Sequence, residues 1–219
     1  MPAKYICKTY VSDGYYHVFN RGVDKRKIFI DEHDYNTFVS LFKRYLEPGY
    51  RLERNDPRSG KKILAESNYS YEKVELLTFV LMPNHFHLLL KQKTEDGMTD
   101  LIRKVCTGYS TYFNEKYARS GKLYESTYKA ILIENEDSFY QISRYIHINP
   151  KPLLRGRGLR DYKFSGFYYI CKDIKLPWLQ WDEVVGDQGV KSYKDFVLSK
   201  IKEDFTEKEA SLLKGITLE

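Results

Sequence analysis

Cysteine is scarce in this chain. Cys7, Cys106 and Cys171 lie far apart with no CxxC pair among them, which argues against a zinc ribbon or a disulfide framework. Reduced thiols, together with an amino terminus that lacks a signal-peptide core, give the expectation of a cytoplasmic protein. No run approaches the roughly 18 apolar residues of a membrane span, so no membrane partner is expected. Internal repeats and low-complexity tracts are also missing. The excess of positive charge is modest, +6 from 36 Lys and Arg against 30 Asp and Glu, and it accompanies 20 Tyr and 12 Phe. That balance suits a partner whose phosphates attract cations and whose unpaired bases stack on rings. It describes an ordinary soluble protein with a basic pI equally well.

What the chain does have is His85-Phe86-His87, set between the apolar stretch Leu76–Met82 and Leu88-Leu89-Leu90. Side chains alternate along a strand, so both imidazoles leave on one face and Phe86 on the other. Two imidazoles on one face are half of a metal site; they are also what two hydrogen-bonded, half-buried histidines look like. A second constellation is Ser143–Pro150. Read as a helix from Asp137 that Pro150 ends, it places Tyr145 and Asn149 on one face, four residues apart. The residue before a proline is biased away from helical geometry, so Asn149 is expected in a loosened last turn, where it also reads as a simple helix-ending residue.

At 219 residues the chain has room for a domain of about 150 residues with an appendage. Tyr15–Gly22 reads as a strand running into a turn, and Tyr35, Phe38, Leu41, Phe42 and Tyr45 repeat at helical spacing within Asp34–Tyr45. Glu47–Ser70 reads as a loop or a short irregular pairing. Glu75–Lys91 reads as two strands parted at Pro83-Asn84, and Thr99–Tyr117 as a helix followed by a capping Gly121. Tyr128–Glu134 adds a strand before the Tyr145 helix. The pattern is α+β, a ferredoxin-like antiparallel sheet with helices packed on it. Residues 1–152 form this domain, and 153–219 form a carboxy-terminal extension that packs on the core or contacts DNA, with a helix at Ser192–Lys202.

Four blocks now stand out: Tyr16–Gly22, Leu81–Leu88, Arg119–Glu125 and Tyr145–Pro150. In content and order they resemble the single-tyrosine HUH transposases, most closely the REP-associated branch, over about residues 15–152. The resemblance implies divalent-metal-dependent cleavage and rejoining of single-stranded or hairpin DNA through a covalent 5′-phosphotyrosine, by a monomer or homodimer. By motif position it implies His85, His87 and Asn149 as metal ligands and Tyr145 as nucleophile. Tyr124 stands where many relatives carry tryptophan, which keeps an aromatic ring but changes its packing.

The chemistry is coherent with those residue types. Two imidazoles and an amide oxygen leave coordination positions for phosphate oxygens and suit Mg²⁺ or Mn²⁺ without excluding zinc. A phenol, with its ordinary pKa near 10, is a poor nucleophile unless a cation favours phenolate. In return its phosphoester conserves the energy of the broken bond for a later 3′-OH. Tyr109, Tyr112 and Tyr140 are rival nucleophiles, and His147, off the Tyr145–Asn149 face, is expected to be structural. Candidate DNA contacts are Asn20, Arg21, Lys25, Arg26, Lys27, Arg103 and Lys104, each also readable as a solvated group. A hairpin-binding regulator that does not cut, and a metal-dependent phosphoester hydrolase in which Tyr145 only packs, remain alternatives.

Overall fold

The computed structural model describes residues 10–55, 62–66, 69–154 and 156–199. Its centre is β1 (Tyr15–Arg21), a run of aromatic and β-branched side chains suited to a buried strand. β1 pairs antiparallel with β5 (His85–Gln92) on one side and β6 (Lys129–Ile133) on the other. β4 (Val74–Met82) completes the sheet in the order β4-β5-β1-β6. Met82 pairs with His85, so Pro83-Asn84 is a two-residue turn, and the Pro83 carbonyl is fixed by the amides of Ile28 and Phe29. The sheet is the expected ferredoxin-like layer.

Two helices cover the face that carries Phe86. α1 (Glu32–Leu46) brings Phe38 to 5.3 Å from the Phe86 ring, and α2 (Gly97–Lys116) brings Tyr109 to 5.0 Å from Phe38. α3 (Glu136–Ile148), capped by the Asn135 side chain, covers the opposite face, where Phe139 meets Tyr15 and Tyr145 meets His17.

Asp34 ties the two helices of the first face together. Its carboxylate accepts from the Ile30 amide, from the Tyr112 and Tyr117 hydroxyls and from Lys116, joining the start of α1 to the end of α2. Burial alone would raise its pKa, but those donors outweigh it and hold the group at about 2, against an ordinary 3.8. The folded pKa is the lower one, so this contribution is complete above pH 3.8 and is lost as pH falls toward 2. Asp34→Asn should lower the melting temperature at neutral pH and flatten its fall between those limits, measured by thermal melts across pH. An unchanged acid profile would contradict this account of the cluster.

Between α1 and β4 the chain forms a separate antiparallel ribbon of β2 (Arg51–Asn55) and β3 (Lys62–Glu66), the second of the expected alternatives, a short pairing, but in regular register. The described side chains of this ribbon are exposed or half-buried, so it carries no alternating apolar signal. The end of α2 also differs from expectation. Its cap is Tyr117 and the left-handed turn falls at Ala118, leaving Gly121 (φ 85°) in the connection beyond.

Residues 156–199 share the core. They contribute α4 (Gly166–Lys172), α5 (Asp182–Val185) and α6 (Gly189–Ser199), and bury Phe167, Trp178, Trp181 and Tyr193. The predicted helix of this region begins earlier than Ser192, and its end at 200–202 lies outside the described residues. The segment also caps the outer edge of β4: Leu81 N–H donates to Phe164 O and Gln180 N–H to Leu76 O, each at 2.9 Å. Gly166 is obligatory at this junction, since a Cβ there would stand 2.0 Å from Thr78 Oγ1. Gly166→Ala should cost about 1–3 kcal/mol by overpacking, read from denaturant unfolding; unchanged stability would show that the junction gives way freely. Among the described residues no helix is long and apolar enough to cross a membrane.

Candidate active site

His85 and His87 leave β5 on the face covered by α3. His87 is fully buried, and its Nδ1 shares a 2.9 Å hydrogen bond with His17 Nε2 of the adjacent β1. Its Nε2 is buried with no hydrogen-bond partner. In the tautomer with His87 Nδ1–H donating to His17, that Nε2 is a bare lone pair, the state a metal ligand requires. Burial lowers the pKa of His17 to about 3 and pushes His87 well below the ordinary range, with His17 and His85 adding to the second shift. Both rings are neutral at physiological pH.

His85 shows the same preparation. The Asn84 amide nitrogen donates to Lys25 O at 3.2 Å, which turns the Asn84 oxygen toward His85 Nδ1 at 2.7 Å. His85 Nδ1 is then the donor. Burial is the main cause that lowers this ring to about 4, against an opposing effect of Asn149 and with a further lowering by Arg21. A neutral ring that donates through Nδ1 has an acceptor at Nε2, and Nε2 lies 3.3 Å from Asn149 Oδ1. Two acceptors facing each other are reconciled by a cation or a proton between them, or by a turn of the Asn149 amide that brings its nitrogen to the ring.

Asn149 reaches this position because α3 continues helically through it. Its φ and ψ are −49° and −38°, and its N–H donates to Tyr145 O at 3.1 Å, so the bias before Pro150 does not loosen the turn. Tyr145, one turn earlier, is 8% exposed and packs edge-on against His87, with ring centroids 5.4 Å apart. Among the described residues no group of three or more His, Cys, Asp or Glu could hold a metal ion. The candidate set is instead two imidazoles completed by an amide, and its facing acceptors and orphaned Nε2 fit a divalent cation.

Residues 50–149, which contain all four of these groups, match the family Transposase IS200 like. Over that segment the chain is similar to the IS200-like transposases. No curated protein matches the sequence. Among solved structures the chain is similar to a REP-associated tyrosine transposase bound to a REP hairpin, at 13% identity and a TM-score of 0.49, over 77% of this chain and 86% of that one. It is also similar to a provisionally assigned transposase from Deinococcus radiodurans R1, at 17% identity and 0.37, over 63% and 91%. A third likeness is to tRNA(His) guanylyltransferase from Saccharomyces cerevisiae, at 8% and 0.39, over 93% and 77%. Likenesses this distant carry no argument about function.

The expected DNA contacts divide by position. Arg21 ends β1 opposite His85 and forms a bidentate pair with Glu125, at 2.9 and 3.1 Å. Lys25 and Arg26 lie in the turn whose carbonyl holds Asn84, and Lys27 follows, exposed. Asn20 is different: it pairs with Phe86 on the other face, is 6% exposed, and spends its amide on Ser126 O and the Arg21 N–H. Arg103 and Lys104 are on α2, across the sheet from the histidines, and both pair with Asp100. The structure does not bring those two to the site, because the apolar stripe of α2 packs it on the Phe86 face.

The rivals to Tyr145 are also separated. Tyr109 and Tyr112 lie across the sheet, donating to Ile28 O and to Asp34. Tyr140 stands toward the start of α3, near a cavity of about 360 Å³ beside Tyr15, Phe139 and Glu183, at the end of the helix remote from Asn149. His147 is buried between Phe167 and Tyr193, as a structural residue would be. Two residues escaped the sequence reading. His17 was marked by its parity in β1, the face shared with Tyr15 and Phe19. Lys129, paired in register with Phe19 and 5.6 Å from its ring, carried no local signal.

Proposed function

We propose that this protein is a metal-dependent transposase or nickase of the cytoplasm that cuts and rejoins single-stranded, hairpin-forming DNA through a covalent 5′-phosphotyrosine on Tyr145. The observation that carries the reading is the pair of facing acceptors, His85 Nε2 and Asn149 Oδ1, with Tyr145 one helical turn from Asn149 and against His87. The match of residues 50–149 to a transposase family supports it. The hairpin preference rests on the sequence blocks shared with the REP-associated branch.

His85, His87 and Asn149 would hold Mg²⁺ or Mn²⁺, which when bound supplies Lewis-acid polarisation and neutralises charge on the scissile phosphate. Arg21, held in its fork by Glu125, can orient that phosphate, with Lys25 and Arg26 contacting its neighbours. Tyr145 Oη attacks phosphorus; the Oη–P bond forms, the P–O3′ bond breaks, the phenol proton passes to solvent, and the departing 3′ oxygen takes up a proton. A 3′-OH from another strand reverses the step without further energy input. All four groups come from one chain, so this reading needs no second copy.

The test is incubation of the full chain with a hairpin oligonucleotide and Mn²⁺, followed by denaturing electrophoresis. A protein-linked DNA band is expected. Cleavage without such a band would replace the transposase by a hydrolase, and tight hairpin binding without cleavage would replace it by a regulator.

A further inference from the structure

The flank of α2 that faces the α2–β6 connection presents Thr107, Ser110, Thr111 and Asn114, a polar group at each successive turn. With Lys122 and Thr127 from the connection, these residues line a groove of about 450 Å³. No carboxylate lines it, in a chain with 30 of them. Glu125, the acid of the connection, is engaged with Arg21 instead. Asn114 is committed to Arg119 and Gly121 O, and Thr111 to Thr107 O. The side-chain polar atoms of Thr107, Ser110, Lys122 and Thr127 make no hydrogen bond or ion pair with any described residue. Tyr124, also in the lining, is 8% exposed, and its hydroxyl is buried beside the Cys106 thiol.

This groove lies on the Phe86 side of the sheet and meets the candidate active site at the end of β1. Val23 N–H donates to Leu123 O at 3.0 Å and Glu125 N–H to Arg21 O at 2.9 Å, so the groove's lip is sewn to the end of β1 where Arg21 faces His85. The Tyr124 ring stands edge-on to Phe86 at 6.1 Å, on the face opposite the two histidines, so a strand would pass from groove to site around the end of β1.

We infer that the groove holds a nucleotide or two of the single strand flanking the phosphodiester presented to His85, His87 and Asn149. Hydroxyls both donate and accept, so they can satisfy any base edge, and Lys122 supplies a cation for the phosphate. A lining without carboxylates does not repel the backbone. The inference rests on the DNA-cleaving function proposed above.

Its test uses a DNA hairpin with and without a short single-stranded flank. The double variant Ser110→Phe, Lys122→Ala fills the groove and removes its cation. It is expected to bind the flanked hairpin about tenfold more weakly, to bind the bare hairpin as the natural protein does, and to keep its melting temperature. In the natural protein, 5-iodouracil placed in the flank should photocrosslink to peptides within 107–127. Equal affinity of both proteins for the flanked hairpin, or crosslinks confined to other segments, would overturn the inference. The crosslink decides alone if the double variant does not fold. Loss of flank affinity in a protein that never forms a covalent adduct would keep the groove and remove the cleavage reading. Adduct formation with unchanged flank affinity would do the reverse.

Discussion

Tyr145→Phe should abolish DNA cleavage and adduct formation, by roughly 10⁴-fold or more, while leaving the fold and hairpin affinity nearly intact. Only Oη is lost. The ring keeps its edge contacts with His87 at 5.4 Å and His17 at 6.1 Å, and the backbone carbonyl still accepts from Asn149. A packing tyrosine would show the opposite pattern, with cleavage retained and at most a small loss of stability. Cleavage assays under single-turnover conditions, alongside thermal melts, separate the two. Full cleavage by the variant would mean that another nucleophile acts.

The second large effect concerns the metal. His85→Ala and His87→Ala should each abolish Mn²⁺ binding measurable by calorimetry, because each removes one of three ligands. His17→Ala should weaken it about 10–100-fold, the usual cost of losing a residue that fixes a ligand's tautomer. Phe86→Ala should behave differently. It empties space among Phe38 and Tyr124 on the far face and should cost about 3–5 kcal/mol of stability, with Mn²⁺ affinity retained in the folded protein. Unchanged affinity in both the His85 and His87 variants would remove the metal site from this account.

Strand parity and helical spacing made much of this arrangement readable in advance. Alternation in β5 put His85 and His87 together and Phe86 behind them, and the four-residue step put Tyr145 and Asn149 on one side of α3. The helical geometry of Asn149 was not readable, since the local bias before Pro150 points the other way and only the continued turn overrides it. Adjacency groups Asn20 with Arg21, whereas adjacent strand residues face opposite layers, so the structure sets Asn20 apart from the histidine face. Charge drew Arg103 and Lys104 into the list, but charge does not tell which face of the sheet a helix covers. The β2–β3 ribbon lacks the alternation that burial imposes. The extension's role as the cover of β4 depends on contacts distant in sequence, such as Leu81 with Phe164, that no local pattern encodes.

The covalent link itself tests the central claim most directly. The natural protein would be incubated with a hairpin oligonucleotide labelled on either side of the cut, digested, and sequenced by mass spectrometry. The proposed chemistry predicts a peptide whose Tyr145 carries the 5′-phosphate of one fragment, with a free 3′-OH on the other. Cleavage that leaves DNA on no residue, or on a residue other than Tyr145, would contradict it.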